Sequence, residues 1–214
     1  MALCLKIDPG KPVEEKLAEA VRILRDGGVV AFPTETFYGL GADARNETAV
    51  ERIFRIKGRD FHNPIALIVA EEKDVIPLVE EIPAAATLLV KTFWPGPLTL
   101  IFRAAPPVSP RVTGGTGKIG IRVSSHPVAR FFAESLAGPL TATSANPSGG
   151  TECSSADAVI RVLGDLPDAV IDGGATPGGA GSTVLDVTFS PPRILREGAI
   201  PRNRILKALS RTEG

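Results

Sequence analysis

Apolar residues recur at helical spacing in five segments of the chain and in short unbroken runs between them. Val13, Leu17, Ala20, Val21 and Leu24 follow the three-four rhythm of a helix over 12–25, with Pro12 in its first turn and Gly27 and Gly28 as its stop. Asn46 is placed to cap a second helix carrying Val50, Ile53, Phe54 and Lys57, which Gly58 terminates. Further helices are predicted over 84–92, 127–136 and 201–209. Residues 29–32, 65–70, 98–102 and 119–123 read as strands, with shorter ones near 139–142, 169–171, 183–187 and 193–195. Apolar strands without clean polar alternation belong to a sheet covered on at least one face, so the interleaved pattern predicts an α/β fold. The last strands follow one another without helices, which predicts a mixed sheet. Residues 33–41 read as a polar turn closed by glycines, and 104–117, rich in Pro and Gly, as a mobile loop. With no internal repeat and no long linker, residues 1–214 are expected to form a single domain.

Composition narrows this picture. Of 214 residues, 43% are hydrophobic and 22% charged, and 22 glycines with 19 prolines make 41 residues, about 19%. That lies below the roughly 25–30% Pro plus Gly of low-complexity sequence, so the chain is turn-rich but folded. Lys plus Arg, 24, cancel Asp plus Glu, 24, and net charge gives no argument for a polyanionic partner. The charge is nevertheless uneven: Arg52, Arg55, Lys57 and Arg59 form one basic cluster, and Arg193, Arg196, Arg202, Arg204, Lys207 and Arg211 surround a single Glu197 near the C-terminus. Such clusters can bind anions locally, or they can be solvated helix faces. Cys4 and Cys153 are too few and too far apart for a disulfide framework or a thiolate metal site. The N-terminus lacks the pattern of a signal peptide and no apolar run approaches the roughly 18 residues of a membrane span. A soluble, cytoplasmic protein is the expectation.

Four loops have the residue types of ligand chemistry, and each also has a purely structural reading. In 33–41, Thr34 and Thr36 follow a buried strand, where open α/β sheets place ligands; they can equally satisfy a tight turn. Lys57 and Arg59, two residues apart at a helix end, can both point at one polyanion, or simply complement the helix dipole. Residues 140–150 run from an apolar strand into Thr143, Ser144, Asn146 and two glycines, which suits an anion nest or an ordinary connection. The glycines at 173–181 suit close approach of backbone to a ligand, or a flexible linker. Neither a Walker A loop nor a Gly-x-Gly-x-x-Gly motif is present. His62 and His126 have no metal-ligand spacing, and no Ser-His-Asp or Cys-His set can be picked out.

Taken in order, PTETFYGLG at 33–41, KGR at 57–59 followed by Asn63 and Pro64, FWPGPLTLIF at 93–102, GIRV at 120–123 before His126 and Pro127, TSANPSG at 143–149, GSTVLD at 181–186 and ILREGAI at 194–200 resemble the YrdC-type threonylcarbamoyl-AMP synthases along almost the whole chain. The resemblance implies a YrdC-like twisted open sheet flanked by helices with a concave basic groove. It also implies an enzyme that joins L-threonine, bicarbonate and ATP into threonylcarbamoyl-AMP with release of pyrophosphate, for threonylcarbamoyladenosine modification of tRNA. Lys57, Arg59, Ser144 and Asn146 would stand at the catalytic centre. Arg59, Asn63, Thr143, Ser144, Asn146, Ser154 and Arg196 would contact ATP. Threonine would meet Thr36 or Thr34, Ser182, and Arg122, the last by a bidentate clamp on its carboxylate. Mg²⁺ is expected on the triphosphate, without a protein metal site, and a threonylcarbamoyl transferase complex downstream.

The sequence departs from the longer members of the family, which have a histidine at the position of Ile68 and a C-terminal domain beyond a linker; it resembles the short, single-domain form. Glu197 and Ser124 stand where proline is common. Two other functions remain open: a non-catalytic module that binds double-stranded RNA or tRNA, and carbamoyl adenylation within hydrogenase maturation. Missing acylphosphatase and zinc-finger segments argue against the last.

Overall fold

The computed structural model describes residues 2–7 and 14–210. Its strands are β1 (Leu3–Lys6), β2 (Val30–Phe32), β3 (Gly39–Gly41), β4 (Ala66–Val69), β5 (Leu98–Arg103), β6 (Lys118–Val123), β7 (Leu140–Ser144), β8 (Ala169–Asp172), β9 (Thr183–Asp186) and β10 (Arg193–Arg196). The α-helices are α1 (Glu14–Arg25), α2 (Glu47–Lys57), α3 (Ala84–Phe93), α4 (Pro110–Thr113), α5 (Pro127–Leu136), α6 (Ala156–Leu163) and α7 (Arg202–Leu209), and a 3₁₀ helix spans Glu72–Leu78. The strands join in one sheet in the order β1-β8-β2-β3-β7-β4-β6-β5-β9-β10. Four of its pairings are parallel, β1 with β8, β2 with β8, β4 with β6 and β5 with β9. The other five are antiparallel, so the sheet is mixed, as the helix-free C-terminal strands predicted.

The helix signals act as local chemistry requires. Asn46 Oδ1 accepts from the Ala49 backbone N–H at 3.1 Å, and Gly58 ends α2 in the left-handed region at φ 56°. Pro12, Val13 and Arg211 lie outside the described residues. Three expectations need correction. The segment 33–41 is only partly a turn, because Gly39–Gly41 forms β3 between β2 and β7. A side chain at Gly41 would place its Cβ 2.6 Å from the Thr141 carbonyl oxygen and 2.7 Å from the Phe32 ring, so the glycine that reads as a turn residue is what admits a strand here. The segment 104–117 holds the short helix α4, with Val112 and Thr113 buried. Finally, β1 and α6 were not anticipated, although Ser155, which caps α6 by accepting from Ala158 N, stands before an apolar helical rhythm.

Successive strand residues enter opposite cores, since side chains alternate across a strand. Ala31, Leu67, Val69 and Val170 pack with α2, α3, α6 and α7 on one face. Val30, Phe32, Ile68, Ala169 and Ile171 pack with α1 and α5 on the other. There Phe32 and Phe132 meet edge to face with ring centroids 5.7 Å apart, worth about 0.5–1.5 kcal/mol beyond the area they bury. On this second face, α1 and α5 cover one half of the sheet.

Candidate active site

The other half of that face is open. In β6, Ile119, Ile121 and Val123 enter the first core, while Lys118, Gly120 and Arg122 point the opposite way into a cleft of about 570 Å³. Thr99 and Ile101 of β5 and Val184 and Asp186 of β9 line it by the same alternation. Small residues, Ala66, Gly120 and Ala142, lie under the cleft and leave room for a ligand. Its volume is that of a small-molecule site; the sheet face forms its floor, and loop residues such as Thr34, Thr36, Arg59 and Ser182 stand around it.

Eight of the residues singled out from sequence meet here: Thr34, Thr36, Arg59, Arg122, Thr143, Ser144, Ser182 and Arg196. Thr34 Oγ1 donates to the Phe37 carbonyl at 2.6 Å and accepts from Thr36 N at 3.2 Å. Its proton is therefore committed, whereas Thr36 Oγ1, 3.2 Å from Thr34 Oγ1, keeps an acceptor for a ligand. Arg196 donates through Nε and Nη2 to the Ser182 carbonyl at 3.2 and 2.8 Å, and Ser182 Oγ lies 2.9 Å from Thr99 Oγ1. The glycine-rich segment after β8 is pinned to this wall: Gly178 N donates to the Thr36 carbonyl at 2.8 Å, and Thr176 N to the Ser154 carbonyl at 2.8 Å.

The two cations of the KGR motif part company at Gly58. Arg59 lines the cleft and donates to the Pro64 carbonyl at 3.1 Å. Lys57, only 4% exposed, turns away and donates to the carbonyls of Ser144 and Asn146 at 2.6 and 2.8 Å. The Lys57 backbone carbonyl also accepts from Ser148 N at 2.9 Å, so one residue fastens both ends of the 144–148 loop. Burial, with Arg59 nearby, brings the Lys57 ammonium down to about 8. Asn146, 3% exposed, lies behind the wall; its Nδ2 donates to the carbonyls of Pro147 and Gly150, and its Oδ1 has no partner among the described residues. Asn63 and Ser154 are exposed and stand outside the cleft lining.

Further charged and hydroxyl groups stand in the cleft or directly behind its lining. Glu35 Oε1 accepts from Arg122 Nη1 at 2.6 Å, and Ser124 Oγ donates to its other oxygen. Burial pushes the Arg122 guanidinium down from its ordinary range, and Glu35 opposes that shift. Lys118 Nζ donates to Asp186 Oδ2 and to Thr188 Oγ1, each at 2.8 Å. Burial alone would raise the Asp186 carboxyl, but bonds from Lys118 and Thr188 hold it below its usual value. The alternation of β6 (Lys-Ile-Gly-Ile-Arg-Val) and of Ser182, Val184 and Asp186 was the signal that finds Lys118 and Asp186. Nothing in the sequence pairs Glu35 with a residue 87 positions away.

An α/β sheet with one polar half-face thus carries a cleft of small-molecule size edged by arginines and hydroxyl groups. The Sua5/YciO/YrdC family model, described as telomere recombination, matches residues 22–198, and the chain belongs to this family. It is 42% identical over 196 residues to the threonylcarbamoyl-AMP synthase of Pyrococcus abyssi, covering 92% of this chain and 58% of that protein. It is 40% identical over 193 residues to the synthase of the same name in Bacillus subtilis, covering 90% and 56%. The chain thus spans somewhat over half the length of these relatives. The crystal structure of P. abyssi Sua5 complexed with L-threonine superposes with a TM-score of 0.94 at 40% identity, covering 97% of this chain and 61% of that one.

Proposed function

We propose that this chain is an L-threonylcarbamoyl-AMP synthase, a nucleotidyltransferase. The observation that carries the reading is the convergence in one cleft of eight residues drawn from six separate motifs of the sequence. The threonine amine would attack bicarbonate to give a carbamate with loss of water. A carbamate oxygen would then attack the α-phosphorus of ATP, forming the acyl phosphate bond and breaking the bond to pyrophosphate, which leaves. Charge would develop on the α-phosphate and the leaving group, and Arg59 and Arg196, which line the cleft, would stabilise it. Arg122 would hold the threonine carboxylate, with Thr36 rather than Thr34 accepting from its amine, and Ser182 beside it. Ser144 and Thr143 would orient the nucleotide; Lys57 and Asn146 would act by shaping the loop that presents them.

Among the described residues no group of three His, Cys, Asp or Glu side chains is placed to hold a metal. Mg²⁺ would enter on the triphosphate, where it would neutralise charge. The ten-stranded sheet, which joins residues 3 and 196, supports a single domain over 1–214. No helix among the described residues is long and apolar enough to cross a membrane. The product would pass to a transferase acting on tRNA in the cytoplasm. Incubation with ATP, L-threonine and bicarbonate should yield pyrophosphate and threonylcarbamoyl-AMP in equal amounts. Absence of both, with double-stranded RNA or tRNA bound, would replace this reading by the non-catalytic one.

A further inference from the structure

Four cations line the cleft, and they fall into two kinds. Lys118 and Arg122 are each matched by a carboxylate, Asp186 at 2.8 Å and Glu35 at 2.6 Å. Arg59 and Arg196 donate to backbone carbonyls, and no ion pair among the described residues involves either. The Arg122–Glu35 pair is the more deeply buried, with side chains 9% and 11% exposed. Its carboxylate is further anchored by buried Ser124, whose Oγ in turn accepts from His126 N at 3.2 Å. Glu35 also lies between Thr34 and Thr36, so the bond to Arg122 ties the hydroxyl-bearing turn after β2 to the C-terminal end of β6.

From this we infer that Glu35 is a specificity-determining residue: by neutralising Arg122 it keeps that guanidinium for a zwitterionic amino acid and leaves the polyphosphate to Arg59 and Arg196. The inference rests on the synthase reading, which places both ligands in this cleft. The physical problem it addresses is competition. A triphosphate outbids a carboxylate for any bare, half-buried arginine, because its charge is larger and its oxygens accept the same bidentate bonds. Beside Glu35 that preference reverses. A polyanion entering the Arg122 subsite would meet a fixed carboxylate with no positive charge of its own to offset the repulsion, whereas an amino acid adds no net charge. Removing the Glu35 charge would leave a buried, uncompensated cation that takes the nearest strong anion.

The test is calorimetric titration of L-threonine into wild type and Glu35→Gln, each with and without inorganic pyrophosphate saturating its own site. In wild type, pyrophosphate should leave the threonine Kd within about twofold, because the subsites are electrostatically separate. In Glu35→Gln it should raise the apparent threonine Kd by about tenfold or more, with competitive behaviour, and Glu35→Asp should restore independence. A structural loosening alone would weaken threonine binding without making it depend on pyrophosphate. Should Glu35→Gln not fold, Glu35→Ala, which also removes the charge, should show the same competition. Threonine binding that stays independent of pyrophosphate in these variants overturns the inference alone. Failure of wild type to bind threonine overturns it together with the synthase reading.

Discussion

Lys57→Met separates two roles for a buried ammonium. If Lys57 acts through the loop, the substitution deletes both donors to the Ser144 and Asn146 carbonyls, at 2.6 and 2.8 Å, while keeping similar volume and apolar stem. Each bond from a charged donor contributes about 1.5–3 kcal/mol, and relief of the ammonium's desolvation returns part of the sum, so a local loss of about 2–4 kcal/mol is expected. Amide exchange in the ligand-free protein should then accelerate over residues 144–150 by roughly one to three orders of magnitude, with β5 and β6 unchanged. The pH dependence gives a second reading. The folded value of about 8 lies below the ordinary 10.5, so the folded state sheds its proton first as pH rises. Stability of wild type relative to the variant should climb between pH 8 and 10.5 and be flat below. Unaltered exchange over 144–150 combined with weaker ATP binding would refute the reasoning and return Lys57 to the phosphate.

Arg59→Ala should cut threonylcarbamoyl-AMP formation by more than about tenfold with little change in melting temperature, since Arg59 faces the cleft and is not paired with a carboxylate among the described residues; near-normal turnover would remove it from the mechanism. Thr183→Val keeps shape but strips the hydroxyl that donates to the Ile200 carbonyl at 2.6 Å and accepts from Gly198 N and Ile200 N. Denaturant unfolding should show a loss of about 2–4 kcal/mol, and an unchanged midpoint would mean the strand end rearranges. His126 caps α5 through Nδ1, which accepts from Val128 N at 3.3 Å, and burial holds its imidazole below the ordinary 6.5. That contribution is complete above pH 6.5 and is lost as pH falls through the lower folded value, so His126→Asn, which can cap at any pH, should flatten the acid limb of the stability profile.

Much of the site was legible because its residues sit in short ordered motifs, and eight of twelve reached the cleft. The exceptions have specific causes. Gly58 in the left-handed conformation turns Arg59 toward the cleft and leaves Lys57 pointing back at a loop 87 residues away; a two-residue spacing does not encode which way each cation faces. Asn146 is drawn inward by its own loop carbonyls. Glu35, unremarked within PTET, acquires its meaning only from Arg122 and Ser124.

Five of the seven α-helices among the described residues are written in local signals, because caps, glycine stops and apolar rhythm are interactions within a few residues, and the strand pattern carries the α/β class and the mixed sheet. Motif order was enough for the family. Which half of the sheet stays bare is settled by tertiary packing. Every strand has two faces, and whether a face becomes core or cleft depends on where α1 and α5 come to rest, which pairs residues far apart in the chain. The same holds for charge: the chain sums to zero, but folding matches Arg122 and Lys118 with carboxylates and leaves Arg59 and Arg196 facing the cleft without such partners among the described residues.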